Sequence, residues 1–72
     1  GQEVDAVIED RGRLLGVEIK TSARPTRDDA RHLRAFRDEY GDDVAGCLLL
    51  HNGDATFRME TGIVAAPWWR VI

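Results

Sequence analysis

The chain has 72 residues, enough for one small core but not two, because a domain of this size buries only about 60% of the surface its unfolded chain exposes. A net charge of −3 excludes a global basic field that would draw in nucleic acid from a distance, so any such binding must be local. The single cysteine, Cys47, excludes an internal disulfide framework and a thiolate metal cage, and its place in an apolar run marks it as a small buried strand residue.

The longest uninterrupted apolar run is "CLLL", far short of the roughly 20 residues a membrane helix needs. The N-terminus has no basic start followed by an apolar secretory segment, so the expected location is cytoplasmic, with no membrane partner. The chain opens inside what reads as a strand, and the expectation is a single domain over residues 1–72 taken from a longer protein.

Residues 3–9 alternate, with Val4, Ala6 and Ile8 on one side and Glu3, Asp5, Val7 and Glu9 on the other, as a half-buried strand does. "DRGR" is a turn, and Leu14 to Lys20 form a second strand whose Leu15, Val17 and Ile19 share a face. A one-residue slip would send every side chain to the wrong side, so coincidence of the apolar faces sets the register of this hairpin. With Arg11 and Gly12 at the turn, Val4 meets Ile19, Ala6 meets Val17 and Ile8 meets Leu15. On the other face Asp5 lies across from Glu18, Glu3 across from Lys20, and Val7 across from Gly16.

"TSARPT" reads as a loop ending in Thr26, a helix N-cap with Asp29 three residues on. Ala30, Leu33, Phe36 and Tyr40 recur at helical spacing until Gly41 stops the run. Val44 to His51 is nearly continuously apolar, as in a central strand covered on both faces. Strand, helix and strand in that order predict a right-handed crossover between parallel strands, the helix lying over the apolar face of the hairpin. A turn at Asn52 and Gly53 leads to a short strand over Ala55 to Met59, and "IVAAP" reads as a final edge strand ended by Pro67. Trp68 and Trp69 are expected to fold back as a lid on the core, the sharper alternative being a stacking platform for bases. The predicted fold class is α/β: a mixed sheet with an N-terminal hairpin, one crossover helix and a C-terminal hairpin.

Two carboxylates directly opposed on neighbouring strands repel, so Asp5 and Glu18 ask for compensation. A divalent cation supplies it, since Mg2+ takes one or two carboxylates and keeps several waters, one of which can attack a phosphodiester. Lys20, two residues after Glu18, points the same way and is placed to steer the nucleophile or hold a phosphate, while Gly16 would leave the floor beside the acids open. The plain alternative is a surface ion pair of Glu3 with Lys20, contributing at most about 1 kcal/mol, beside two solvated acids.

"VD", twelve intervening residues and then "EIK" resembles the core motif of the PD-(D/E)XK nuclease superfamily. The stretch "EVDAVIEDRGRLLGVEIKTSARPTRDDARHLRAF", with "LLLHNGDATF" and "GIVAAPWW", is similar to the nuclease-like C-terminal domain of a large group of prokaryotic AAA-class ATPases of unknown function. The resemblance spans nearly the whole chain, and its most specific block runs from Glu3 to Ser22. It implies that Asp5, Glu18 and the carbonyl of Ile19 are ligands of Mg2+ (or Mn2+), and that Lys20 is the catalytic base or phosphate anchor. It also implies hydrolysis of DNA phosphodiester bonds, with DNA and the rest of the ATPase as partners. Val4 stands where the superfamily's name has proline, and no acidic helix precedes the first strand, so Glu3 would have to substitute for the residue it carries. The rival reading is a catalytically inactive interaction or regulatory module of the same ATPase. No Walker-type phosphate loop is present, which excludes ATP hydrolysis by this segment.

Arg24, Arg27 and Arg31, with Arg34 beyond them, are candidate phosphate contacts, although interleaved Asp28, Asp29 and Asp38 favour a solvated helix face. His32 and His51 have no second histidine or cysteine at ligand spacing and read as surface or packing residues. No serine or cysteine sits in a nucleophile elbow, and no glycine-rich phosphate cradle is present.

Overall fold

The alternating N-terminal segment folds, in a computed structural model that describes residues 4–71, as two antiparallel strands, β1 (Ala6–Asp10) and β2 (Arg13–Ile19). Arg11 and Gly12 form the turn with φ of 56° and 82°. Two consecutive left-handed residues are what a two-residue type I′ hairpin needs, and that turn matches the twist of the strands it joins. The register is the expected one: Ala6 faces Val17, Val7 faces Gly16, Ile8 faces Leu15 and Asp10 faces Arg13. The ladder stops at Ala6, later than expected, because Asp5 occupies a bend. Glu3, and with it the expected pairing to Lys20, lies outside the described residues.

The helix starts where the capping signal points. The Thr26 amide donates to Asp29 Oδ2 at 2.8 Å, and the Asp29 amide donates to the Thr26 carbonyl at 3.0 Å. A turn of 3-10 helix over Arg27–Ala30 then runs into α1 (Arg31–Tyr40), which Gly41 ends. Strands β3 (Val44–His51), β4 (Phe57–Glu60) and β5 (Ile63–Pro67) complete one five-stranded sheet in the order β1-β2-β3-β5-β4. β2, β3 and β5 run parallel, flanked by the antiparallel edges β1 and β4. This is the expected α/β fold, a mixed sheet opened and closed by hairpins with one helix between strands.

One detail of order differs from the sequence reading. "IVAAP" is an interior strand, and the polar "FRME" of β4 takes the edge. Pro67 suggested an edge, but it stands at the last ladder position, opposite His51, where a missing amide costs least.

The helix also covers the opposite face of the hairpin from the one expected. Ala30, Leu33 and Phe36 pack with Cys47, Leu49, Ile63 and Ala65, and Val4, Leu14, Val44 and Met59 close the margin. On β2 this is the side of Leu14, Gly16 and Glu18. Phe36, Leu33, Leu49 and Ile63 are fully buried, each contributing about 1.5–3 kcal/mol of transfer free energy. On the other face Val17, Leu50 and Ala66 are buried, while Ile8 and Ile19 stay 54% exposed. Tyr40, expected in the core, is half exposed and leans on Phe36 with ring centroids 5.1 Å apart.

An ionic latch ties α1 to the β4 edge. Arg37 Nη1 donates to Glu60 Oε1 at 3.1 Å and to the Thr61 carbonyl at 2.7 Å, and Arg34 Nη1 donates to Glu60 Oε2 at 3.2 Å. Burial by itself would raise the Glu60 carboxyl, but the hydrogen bonds and charges of Arg37 and Arg34 together outweigh it and hold the group below the ordinary carboxylate value. Among the described residues no helix is long and apolar enough to cross a membrane.

Candidate functional site

Asp5 lies in the bend that precedes β1, and Glu18, Ile19 and Lys20 lie at and just beyond the carboxyl end of β2. Asp5 does not continue the ladder. Its Oδ2 accepts the Ile19 amide at 2.7 Å, so the carboxylate takes the place of a backbone acceptor and is held beside the peptide that joins Glu18 to Ile19. Lys20 is fixed from the other side, its amide donating to the Leu50 carbonyl of β3 at 2.8 Å.

Glu18 is the unusual member. It lies on the helix-covered side of the sheet, and its side chain is only 4% exposed. Lys20 Nζ at 3.8 Å and His32 Nδ1 at 3.4 Å approach its Oε2. Charge-assisted hydrogen bonds run at about 2.7–2.9 Å, so neither contact is a tight one. A buried carboxylate with loose partners keeps lone pairs that burial makes costly to leave idle.

The donors available here are oxygens, the type a hard divalent cation takes. Asp5 and Glu18 offer carboxylate oxygens, and the Ile19 carbonyl belongs to the peptide between Ile19 and Lys20. Among the described residues no group of three histidine, cysteine, aspartate or glutamate side chains is gathered as a cage. Mg2+ is suited to such an open arrangement, since it binds through one or two carboxylates and retains water.

Gly16 does not leave an open floor beside the acids. A Cβ there would come within 2.8 Å of Phe36 Cδ2 and Cε2, so the aromatic ring fills the space that the missing side chain vacates. His32, read from sequence as a surface or packing residue, instead contacts Glu18. The signal for it was geometric rather than local, because it flanks Leu33 on α1 and the helix lies over Glu18.

The loop after Lys20 is bolted to the loop after β3. The Asn52 amide donates to the Ser22 carbonyl at 3.0 Å, and Asn52 Nδ2 donates to the Thr21 carbonyl at 3.0 Å. His51 is the packing residue expected, 1% exposed with both ring nitrogens engaged. The Gly53 amide donates to Nδ1 at 2.9 Å, so Nε2 carries the proton and donates to the Ala55 carbonyl at 2.9 Å.

The arginines divide. Arg31 Nη1 is engaged by Asp28 Oδ2 at 2.8 Å, and Arg34 belongs to the latch. Arg24 and Arg27 are exposed, and their guanidinium groups make no ion pair among the described residues. Trp68 and Trp69 do not form a lid: they follow β5 in a 3-10 turn, 46% and 43% exposed, and meet edge to face with centroids 5.9 Å apart. Cys47 is buried as expected, and burial pushes its thiol up, which makes it unreactive.

A protein-family model described as a domain of unknown function (DUF4143) matches residues 1–71. No curated protein and no solved structure matches the chain.

Proposed function

The chain belongs to the DUF4143 family of domains, and from that premise we propose that it is a metal-dependent nuclease-like module of the PD-(D/E)XK type, hydrolysing DNA phosphodiester bonds as part of an AAA-class ATPase. The observation that carries this reading is the buried, loosely partnered Glu18 carboxylate beside Lys20, with the Asp5 carboxylate held at the Ile19 amide. Structural carboxylates are ordinarily hydrogen-bonded when buried, so a site of this kind is better explained by chemistry than by packing.

Asp5, Glu18 and the Ile19 carbonyl are the oxygen donors that would hold Mg2+ or Mn2+. Such an ion lowers the pKa of a bound water and neutralises charge developing on phosphoryl oxygens. Lys20 carries the remaining work of the side chains: its ammonium group holds a non-bridging oxygen of the scissile phosphate and orients the attacking water. Arg24 and Arg27 attract the flanking phosphates, a local contribution in a chain whose net charge is negative.

The test is a Mg2+ titration followed by NMR, joined to nicking of supercoiled DNA by the full-length protein. Shifts at Asp5, Glu18 and Ile19, with nicking reduced at least about a hundredfold in Lys20→Met, support the reading. Metal-induced shifts without nicking favour the second reading, an inactive interaction or regulatory module. That reading draws on the fact that Lys20 and His32 already flank Glu18 with groups able to balance its charge.

A further inference from the structure

We propose that Trp68 and Trp69, with Phe57 beside them and Arg24 and Arg70 as flanking cations, form a platform on which unpaired bases of single-stranded DNA stack. The inference rests on the nuclease reading above and names the form of DNA that reaches Lys20, but it involves no metal and none of the proposed metal ligands.

The first argument is position. β2, β3 and β5 run parallel and end on one side of the sheet, with Ile19 opposite Leu50 and Leu50 opposite Ala66. Ligands of open α/β sheets gather outside the carboxyl ends of such strands. Lys20 follows the first of these strands and the two tryptophans follow the last, so both groups lie along the same edge. Neighbouring strands are about 4.8 Å apart, which puts the ends of β2 and β5 roughly 10 Å from each other. Three stacked nucleotides at about 3.4 Å each cover that distance.

The second argument is the aromatic surface. Trp68 and Trp69 are nearly half exposed, and in their edge-to-face contact one ring contributes only its rim, so its two faces are not used up by its neighbour. Arg70 Nη1 donates to Thr56 Oγ1 at 3.1 Å and ties this turn to the start of β4, where Phe57 adds a third ring, 38% exposed. Open rings gathered at one corner of the sheet offer base-stacking area that is indifferent to sequence.

The third argument is charge. Arg70 meets a neutral hydroxyl at Thr56, which leaves its charge to attract a phosphate. Arg24 is exposed on the loop after Lys20, and the bonds of Asn52 to Thr21 and Ser22 hold that loop against the turn after β3, between the two ends of the edge. Asp54 is the acidic residue of that turn, so the cations flank the rings instead of surrounding them. Such a layout favours a flexible strand with free bases over a duplex, whose bases are already stacked on one another and cannot reach the rings.

The probe is a fluorescently labelled oligothymidine of about sixteen nucleotides, with a duplex of the same length as competitor, on the full-length protein in EDTA. Fluorescence anisotropy gives the two affinities with no need for metal or cleavage. The expected result is a single strand bound about tenfold or more tighter than the duplex, with Trp68→Leu and Trp69→Leu each weakening single-strand binding about tenfold and leaving duplex binding unchanged. Trp68→Phe and Trp69→Phe keep a ring and should recover most of the loss, and circular dichroism establishes that all four variants are folded. A strand with abasic sites at its centre should bind the wild type as weakly as the intact strand binds the Leu variants. Single-strand affinity that neither Leu variant changes overturns the platform and leaves the nuclease reading to its own metal and nicking test. Leu variants that change the oligomeric state in light scattering but not the DNA affinity identify the tryptophans as a protein contact and overturn the platform equally. Loss of single-strand binding in the Leu variants, with no nicking by the wild type, keeps the platform and overturns the nuclease.

Discussion

Gly16 on β2 lies directly beneath the ring of Phe36 on α1, at a distance that leaves no room for a methyl group. The helix is therefore seated on the sheet by an aromatic side chain filling the place of an absent one. Gly16→Ala must push Phe36 Cδ2 and Cε2 from their 2.8 Å positions, into a core where Leu33 already closes the far side. The expected cost is about 1–3 kcal/mol, a large share of the stability of a domain this small. Chemical denaturation measures it, and the double variant Gly16→Ala with Phe36→Leu should recover part of the loss. Unchanged stability of Gly16→Ala would remove this account of how the helix docks.

The same contact explains why the helix-bearing face was not legible in the sequence. Both faces of β2 carry apolar residues, Leu15, Val17 and Ile19 on one and Leu14 on the other, and by hydropathy the first wins. A glycine has no hydropathy to weigh, so the hole that receives Phe36 is invisible until the tertiary fit is seen. The hairpin register was legible, because a two-residue turn and coincident apolar faces leave no second solution. The placing of Asp5 beside the Glu18–Ile19 peptide follows the same register. His32 does not, since its partner Glu18 lies fourteen positions away on another element, and no spacing rule within a helix reaches that far.

Asp5 has two roles that substitution can separate. Its carboxylate accepts the Ile19 amide at 2.7 Å, a structural hydrogen bond at an exposed site, and it is also an oxygen donor of the proposed metal site. Asp5→Asn keeps an acceptor for Ile19 but loses the negative charge, so it should fold with nearly wild-type stability and bind Mg2+ much more weakly. Asp5→Ala removes both and should cost about 1 kcal/mol in addition. Thermal denaturation with and without Mg2+ distinguishes the two. Equal stabilisation of all three proteins by Mg2+ would place the ion elsewhere.

The latch at Glu60 makes the docking of α1 sensitive to acid. A carboxyl held below its ordinary value contributes stability that is present above the unfolded value of about 4.3 and is lost as pH falls through the lower folded one. Glu60→Gln cannot gain or lose that contribution. The wild type should therefore melt higher than Glu60→Gln at pH 7, and the gap should close as pH falls from about 4.3 downward. Exposure of the latch to water makes its strength salt-dependent, so the gap should also narrow in high salt. A gap that stays constant from pH 7 to pH 2 would show that Arg34 and Arg37 hold Glu60 only as a neutral contact.

Gly53 controls the loop that carries Lys20 into the site. A Cβ at this position would collide with the carbonyl of Ala23 and crowd His51 Nδ1, the atom that accepts the Gly53 amide. The obstruction on one side is backbone, which cannot rotate away as a side-chain tip can, so Gly53→Ala must move the 21–24 segment or the 52–54 turn bodily. Either movement breaks the pairing of Asn52 with Ser22 and Thr21 immediately after Lys20. A destabilisation on the order of 2 kcal/mol is expected, with amide shifts concentrated in Lys20 to Ala23 and in the turn. Asn52→Ala should produce a milder form of the same pattern, about 1 kcal/mol, because the backbone half of the clamp survives. If Gly53→Ala leaves the Lys20 to Ala23 amides unmoved, the lysine is held by β2 alone and the clamp has no part in placing it.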